Sequence, residues 1–157
     1  MPQATKESFA RALETLVRKY EADRDTYISS EYNETQTRTQ FISPLLEALG
    51  WDARNEAGVP YHLCEVWEEK GETQGRPDYT LRINGQTKFF LEAKSPSEEL
   101  PKADILQTKR YAWNSRDIFF AGVCDFEQFA FWYSLFVCLQ IPKWHYTGCA
   151  ESEFIFC

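Results

Sequence analysis

Residues 77–94 read PDYTLRINGQTKFFLEAK and decide the fold. On each side of Asn84-Gly85 lies a run in which every second residue is apolar. Such alternation is typical of half-buried β-strands, and Asn-Gly is a strong signal for a hairpin turn. The sequence therefore predicts two antiparallel strands, at 78–83 and 87–94.

The register of this hairpin decides which side chains share a surface. A plain two-residue turn would place Asp78 opposite Leu91 and would set the apolar residues of each strand against the polar residues of the other. A shift of one residue instead places Asp78 opposite Glu92 and Leu81 opposite Phe89. The shifted register collects the apolar residues of both strands on one face, so it is the one we predict.

This shift requires a three-residue loop or a one-residue bulge, with Gly85 at the positive φ angle that such turns need. Burial of the apolar face then places Asp78, Glu92 and Lys94 on one surface. Two neighbouring carboxylates repel each other, and Mg²⁺ prefers such oxygen ligands and needs only one or two of them from the protein. The ammonium group of Lys94 would neutralise charge on a phosphate or position a water molecule, as metal-assisted phosphodiester hydrolysis requires.

Two helices are predicted before the hairpin. The first spans residues 5–26, with Thr5 as its cap. The second begins after Asn33, with Gln36 completing a capping box, and ends at Gly50, with a kink or break at Ser43-Pro44. Its inward-facing residues are predicted to be Phe41, Leu45, Ala48 and Leu49.

The remaining elements complete an α/β pattern. We predict a short strand at 62–67, a helix at 103–114 and a strand at 118–124. The order of helices and strands predicts an α/β fold with a mixed β-sheet flanked by helices.

The composition of the chain changes near residue 118. Of the 25 aromatic residues 12 fall in residues 119–157, but only 5 of the 41 charged residues do. The chain of 157 residues has the length of one domain. We assign residues 1–128 to that domain and residues 129–157 to an atypical tail rich in aromatic residues and cysteine, which shows no clean period.

Charge and cysteine content exclude several classes of function. The formal net charge of −7 does not drive the chain onto nucleic acid or anionic membranes, so DNA contact must come from a local patch. The uncharged, largely apolar stretch 129–142 holds 14 residues and is too short to span a bilayer. Five cysteines without a CxxC pair indicate a reduced, cytoplasmic setting.

Three stretches carry a resemblance to known nucleases. Pro77-Asp78, followed after thirteen residues by Glu92-Ala93-Lys94, resembles the PD-(D/E)xK nuclease motif. The predicted helix at 103–114 contains Gln107 and Tyr111, which are similar to the QxxxY element of RecB-like and type I restriction nucleases. Upstream, ETQTR at 34–38 and LGW at 49–51 resemble the start of the N-terminal nuclease domain of type I restriction R subunits and of enzymes that fuse a nuclease to a methyltransferase.

The resemblance, which covers residues 5–128, implies a restriction-endonuclease-like core and a role for each matching residue. Asp78 and Glu92 would bind one or two Mg²⁺ ions, with Glu34 directed at the same metal site and the Ala93 carbonyl as a further ligand. Lys94 would orient the attacking water or stabilise the transition state.

Three more residues receive roles from the resemblance: Gln107 as a further catalytic residue, and Tyr111 and Arg38 as supporting residues. Gln107 would brace the site or contact the DNA backbone, and Tyr111 would support it. Arg38 would hold a phosphate or pair with a nearby acid.

The function implied is a Mg²⁺-dependent endonuclease of a restriction–modification system that cuts double-stranded DNA. Methyltransferase and specificity modules would act in cis, in a part of the parent enzyme that has been lost, or in trans. ATP or S-adenosylmethionine is expected only for a longer parent enzyme. The alternatives are a truncated or frame-disrupted, inactive remnant of such an enzyme and a RecB-like repair nuclease.

Each candidate residue also has a plain structural explanation. The charges of the hairpin would then simply be solvated, and Glu34 would be an acid favoured by the N-terminus of its helix. Gln107 and Tyr111 would face solvent and core. The basic residues on and beside the predicted helix could touch phosphates, but such a set is more often a solvated face: Lys102, Lys109, Arg110 and Arg116.

Overall fold

The computed structural model describes residues 4–69, 76–98, 118, 120–133 and 137–141. The helical elements of these residues are α1 (Lys6–Ala22), α2 (Arg24–Tyr27), α3 (Glu34–Thr37), a π-helical turn (Arg38–Ile42), α4 (Ser43–Ala48) and a 3₁₀ turn (Tyr61–Leu63). The strands are β1 (Val66–Glu68), β2 (Tyr79–Ile83), β3 (Gln86–Ala93), β4 (Phe120–Cys124), β5 (Phe129–Tyr133) and β6 (Val137–Ile141).

The described strands form one mixed sheet in the order β1-β2-β3-β4-β5-β6. Strands β3 and β4 run parallel, and every other neighbouring pair is antiparallel. Together with the helices before it, this sheet confirms the predicted α/β fold. No helix in the described part of the chain is both long and apolar enough to cross a membrane.

The main core lies between the hairpin and the helices. Tyr79, Leu81, Leu91 and Ala93 of β2 and β3 are all at most 3% exposed. They pack against a set of helical residues from α1, the π-helical turn and α4: Phe9, Leu13, Leu16, Ile42, Leu45 and Leu46. These four residues of the apolar face of the hairpin are therefore buried as its sequence predicts.

The predicted register of the hairpin is confirmed. Leu81 pairs with Phe89 and Tyr79 with Leu91, and a bulge at Lys88 interrupts the ladder, because Arg82 pairs with Thr87. The turn itself has two residues, Asn84 and Gly85, with φ angles of 51° and 76°. Of the three-residue loop and the one-residue bulge that would produce this register, the protein has the bulge.

Two apolar residues are exposed where the sequence predicts burial: Leu49 of the inward set on the second helix, and Ile83 on the apolar face of the hairpin. Ile83 and Leu49 are each 50% exposed, and Ala48 is only half-buried. Ile83 lies at the turn end of β2, where it pairs with the exposed Gln86 rather than with an apolar residue. The alternation of apolar residues predicts which face of the sheet is covered. It does not predict how far along the strands the covering helices extend.

The caps of both predicted helices are confirmed. Thr5 accepts a hydrogen bond from the backbone N–H of Ser8, and Asn33 accepts one from that of Gln36. The first helix ends at Ala22 rather than at 26, because Asp23 leaves the helical region with φ −141° and a separate short helix, α2, follows.

The interruption predicted at Ser43-Pro44 takes the form of the π-helical turn just before α4. Pro44 has no amide hydrogen, so the carbonyl of Gln40 loses its usual helical donor. The ammonium group of Lys19 on α1 donates to this carbonyl at 3.4 Å. The irregular turn is therefore tied to α1.

The outcome for the other predicted elements is mixed. The strand predicted at 62–67 begins only at Val66, because residues 61–63 form the 3₁₀ turn. The strand predicted at 118–124 is β4, which begins at Phe120. The helix predicted at 103–114 lies outside the described residues.

Strands β5 and β6 occupy part of the segment that shows no clean sequence period. Nearly every residue from 129 to 141 is apolar, so alternation gives no signal there. The domain boundary at residue 128 falls between β4 and β5 and stays a prediction, and residues 142–157 lie outside the described part.

Candidate active site

The hairpin brings its charged residues together at one end. Asp78 directly precedes β2, while Glu92 and Lys94 lie at the end of β3. One carboxylate oxygen of Asp78, Oδ2, accepts a hydrogen bond from the backbone N–H of Ala93 at 2.7 Å. This bond holds the Asp78 carboxylate beside the strand that carries the other two residues.

Arg38 is buried against the same carboxylate. It projects from the π-helical turn, and its Nη1 donates to Oδ1 of Asp78 at 3.0 Å. Its Nη2 donates to Oε1 of Glu68 at 3.0 Å and to the carbonyl of Glu69 at 2.7 Å. The resemblance left either a phosphate or a nearby acid as the partner of Arg38, and the structure pairs it with two acids.

Lys94 joins the remaining two acids. Its ammonium nitrogen lies 3.5 Å from Oε1 of Glu92 and 3.5 Å from Oε2 of Glu34. Glu34 comes from the first turn of α3, so this contact links the helix to the end of β3. The structure therefore brings Glu34, Arg38, Asp78, Glu92 and Lys94 into one cluster.

The carboxylates of this cluster are crowded. Burial raises the pKa of Glu92 to about 7, with a further contribution from the negative charge of Asp78, and Lys94 opposes both. Burial and Asp78 also raise the pKa of Glu34, against the opposing effect of Lys94 and Arg38. The two internal cations thus compensate only part of the negative charge.

One oxygen of Glu92, Oε2, is buried and has no hydrogen-bond partner. A buried carboxylate oxygen without a donor is costly unless a cation or a proton satisfies it. A divalent cation held by Asp78 and Glu92 fits this atom, and Mg²⁺ commonly takes one or two protein carboxylates and keeps several waters.

Within the described ranges, no three His, Cys, Asp or Glu side chains are grouped so as to hold a metal ion. In the same ranges Asp78 pairs with Arg38 and accepts a hydrogen bond from the N–H of Ala93, and Glu34 pairs with Lys94. The expected roles of Asp78 and Glu92 as metal ligands therefore stay predictions. The part expected of Glu34 as a metal ligand stays a prediction.

Other candidate residues cannot be placed. Gln107 and Tyr111 lie outside the described residues, as does the basic set at 102–116. Their roles stay predictions.

Two residues of the site were missed by sequence reasoning. Glu68 shares a strand face with Val66, which is buried in the core, and this alternation was the available signal. Ser95 directly follows Lys94 and is 4% exposed, but nothing in a lone serine indicates burial.

The mixed sheet flanked by helices is consistent with the restriction-endonuclease-like class of α/β folds. Residues 59–141 match the family described as "Type I restriction enzyme R protein N terminus". Because the match spans more than half of the chain, the protein belongs to this family. The family relationship confirms the resemblance and the fold class that the motifs predicted.

A curated relative extends this finding. The chain is 43% identical over 112 residues to the "Type II restriction enzyme and methyltransferase RM.Eco57I" of Escherichia coli. The match covers 66% of this chain and 11% of the relative, so the chain spans about a tenth of that protein's length. No solved structure matches the chain.

Proposed function

We propose that this chain is the nuclease domain of a restriction–modification system and that it hydrolyses phosphodiester bonds of double-stranded DNA with Mg²⁺. Family membership supports the restriction role, and the clustered acids and lysine support the chemistry. The observation that carries the proposal is the buried, unpartnered Oε2 of Glu92 in a cluster that also contains Asp78 and Lys94.

Asp78 and Glu92 would hold the ion in this proposal. When bound, Mg²⁺ would supply a Lewis acid for the phosphoryl oxygen and lower the pKa of a bound water. The Ala93 N–H and Arg38 keep the Asp78 carboxylate in a fixed orientation, so little reorganisation is needed when a substrate arrives.

Lys94 and Glu34 would act on the substrate side. The Lys94 side chain is 14% exposed, and its ammonium group lies between two carboxylates, where it would act on a phosphate oxygen or an attacking water. The Glu34 carboxylate lies 3.5 Å from the ammonium nitrogen and would help to orient it toward the substrate. Gln107 and Tyr111, which the resemblance assigns to bracing and DNA contact, remain part of the proposal.

The partners follow from the charge and the family. With a net charge of −7, the chain is a poor general binder of DNA. We propose that methyltransferase and specificity modules, in cis or in trans, supply most of the DNA affinity, and that ATP or S-adenosylmethionine acts only through such modules. The free thiols of Cys64 and Cys124 suit the cytoplasmic location that we propose.

Nicking of supercoiled plasmid by the purified chain tests this function. In Mg²⁺ or Mn²⁺ we expect slow nicking that a chelator stops. Asp78→Asn, Glu92→Gln and Lys94→Met should each lower the rate on the order of 100-fold or more, because each removes a group that stabilises the transition state.

Matched controls lie in the same chain. Lys88→Met changes a lysine of the same strand at the bulge, and Glu56→Gln changes an exposed glutamate outside the cluster. Both should nick like the unmodified protein. Equal nicking by all variants would indicate contamination, and the absence of both nicking and calorimetric Mg²⁺ uptake would contradict the proposal. Cleavage of linear DNA with closed circles spared would instead favour the RecB-like repair nuclease.

A further inference from the structure

The site is assembled from two bodies, the hairpin and the helices that begin at Asn33. Arg38 and Asp78 join them on one side, and Glu34 and Lys94 on the other. The second ion pair is long, at 3.5 Å, and its Glu34 side chain is 38% exposed. Partly solvated ion pairs hold side chains only loosely, so this pair does not by itself fix the helix relative to the strand.

A buried hydrogen bond lies directly beside this ion pair. The hydroxyl of Ser95 donates to the backbone carbonyl of Tyr32 at 2.7 Å, and Ser95 is 4% exposed. Ser95 follows Lys94 in sequence, and Tyr32 precedes the cap of α3 by one residue. The bond therefore connects the two backbones within two residues of both members of the ion pair.

Both ends of this bond are anchored. The N–H of Lys94 donates to the carbonyl of Cys124 in β4, and Pro96 favours an extended conformation at Ser95. On the helical side, the N–H of Tyr32 donates to the carbonyl of Ser29, and the ring of Tyr32 packs on that of Tyr27 with centroids 5.0 Å apart. Neither end can shift without breaking further contacts.

The hydroxyl of Ser95 has a single proton, which the Tyr32 carbonyl receives. The neighbouring hydroxyl of Ser97, at 2.8 Å, must therefore donate to Ser95. Ser97 is exposed, and its loss leaves the bond from Ser95 to Tyr32 in place. Ser97 thus provides a matched control.

We propose that Ser95 is a positioning residue, whose bond to the Tyr32 carbonyl sets the spacing between the Glu34 carboxylate and the Lys94 ammonium group. The effect of Ser95 on DNA cleavage rests on the proposed nuclease function. Its effect on the position of α3 does not. Ser95 is not among the residues that we propose to hold the metal or to contact DNA. It acts by holding α3 against the end of β3.

Amide hydrogen exchange tests the geometry without any need for activity. Ser95→Ala should increase exchange at least tenfold in residues 33–37 and at Lys94, while α1 and β2 exchange as before. Ser97→Ala should leave all these rates unchanged, and Ser95→Thr, which retains the hydroxyl, should restore protection. Unchanged exchange in Ser95→Ala would overturn the inference whether or not the chain is a nuclease.

Kinetics test the consequence for the site. With Ser95→Ala we expect plasmid nicking at saturating Mg²⁺ to fall between about tenfold and 100-fold, because a displacement of about 1 Å near reacting groups has effects of this size. The KM for plasmid should stay the same, Ser97→Ala should match the unmodified protein, and Ser95→Thr should recover the rate.

The two proposals fail in different ways. An unmodified protein that neither nicks DNA nor takes up Mg²⁺ would contradict the nuclease function, and exchange would still decide the role of Ser95. An active protein whose Ser95→Ala variant nicks at full rate would overturn the positioning role alone. A raised KM with an unchanged maximal rate would also overturn it.

Discussion

The Arg38 side chain reduces the electrostatic repulsion between the carboxylates that are clustered around it. Its guanidinium binds Asp78 and Glu68 with separate nitrogens, and only its Nε is left without a partner. A planar guanidinium suits this arrangement better than an ammonium group, because its donors are fixed in a fork. Arg38 therefore links the helical part of the chain to β1 and to the start of β2.

We predict that Arg38→Met lowers the free energy of unfolding by about 3 kcal/mol, because it leaves the Asp78 carboxylate, whose side chain is 13% exposed, without its cation. This is the lower end of the range for a broken buried ion pair, chosen because Glu68 is 36% exposed. Urea denaturation at pH 7 measures the change.

Arg54→Met is the matched control for this variant. Arg54 pairs with Glu47 at 3.0 Å but is 58% exposed, so its loss should cost less than about 1 kcal/mol. Equal losses in the two variants would show that the Arg38 pairs contribute no more than a surface salt bridge.

For single residues, the sequence predicts contacts within the hairpin but not contacts between distant parts of the chain. The spacing of Asp78, Glu92 and Lys94 predicted their common surface, because strand alternation and the turn are local properties. The partner of Arg38 stayed open, because 30 residues separate it from Glu68 and 40 from Asp78. No local pattern reports a contact across such a distance.

Among the elements, α3 has an importance beyond its four residues. It carries Glu34, and its start is held by the Asn33 cap and by the bond from Ser95 to Tyr32. Helix α1 is capped in the same way by Thr5, but it carries no residue of the site. The two caps make the same kind of hydrogen bond, one away from the site and one beside it. Their loss can therefore be compared directly.

We predict that Asn33→Ala and Thr5→Ala each lower the free energy of unfolding by about 1 kcal/mol, the usual cost of a lost cap. Only Asn33→Ala should increase amide exchange in residues 34–42, and only Thr5→Ala should do so in the first turn of α1. Denaturation and hydrogen exchange measure these two effects. A rise in exchange at 34–42 in Thr5→Ala would mean that the two helices open together.

The elements also show where sequence reasoning stops. Caps depend on residues three apart, so Thr5 and Asn33 were recognisable. Strands β5 and β6 were not, because an almost wholly apolar segment has the same appearance in a buried strand and a buried helix. The π-helical turn was anticipated only as an interruption near Pro44, because proline shows which bond is lost but not how the chain replaces it.

At the scale of the whole molecule, the free energy of unfolding depends on pH, because folding raises the pKa of a buried acid. Asp125, between β4 and β5, is 1% exposed, and its Oδ1 accepts a hydrogen bond from the N–H of Gln128 at 2.6 Å. Burial nevertheless raises the pKa of Asp125 to about 6. The folded state thus keeps a proton that the unfolded chain, with an ordinary pKa near 3.9, has already released.

The sign of the effect follows from this difference. Between about pH 4 and pH 6 the folded state binds more protons than the unfolded state, so the Asp125 contribution to stability falls as the pH rises and levels off above pH 6. Two pKa units correspond to a loss of at most about 3 kcal/mol.

We predict that Asp125→Asn removes this contribution while it retains an acceptor for Gln128. Relative to the unmodified protein, the variant should gain about 1–3 kcal/mol in unfolding free energy between pH 4.5 and pH 7.5. Urea denaturation at the two pH values measures it. A difference between the two proteins that is the same at both pH values would contradict the prediction.

The bulge at Lys88 has a consequence for how related chains vary. Removal of the bulged residue would leave Leu81 paired with Phe89 and Arg82 with Thr87, so the carboxylate end of the hairpin would keep its alignment. Loss of one residue between Phe89 and Glu92 would instead rotate Glu92 to the opposite side. Insertions and deletions in homologous sequences should therefore gather between residue 82 and residue 88, where evolution can change length without dismantling the charged cluster.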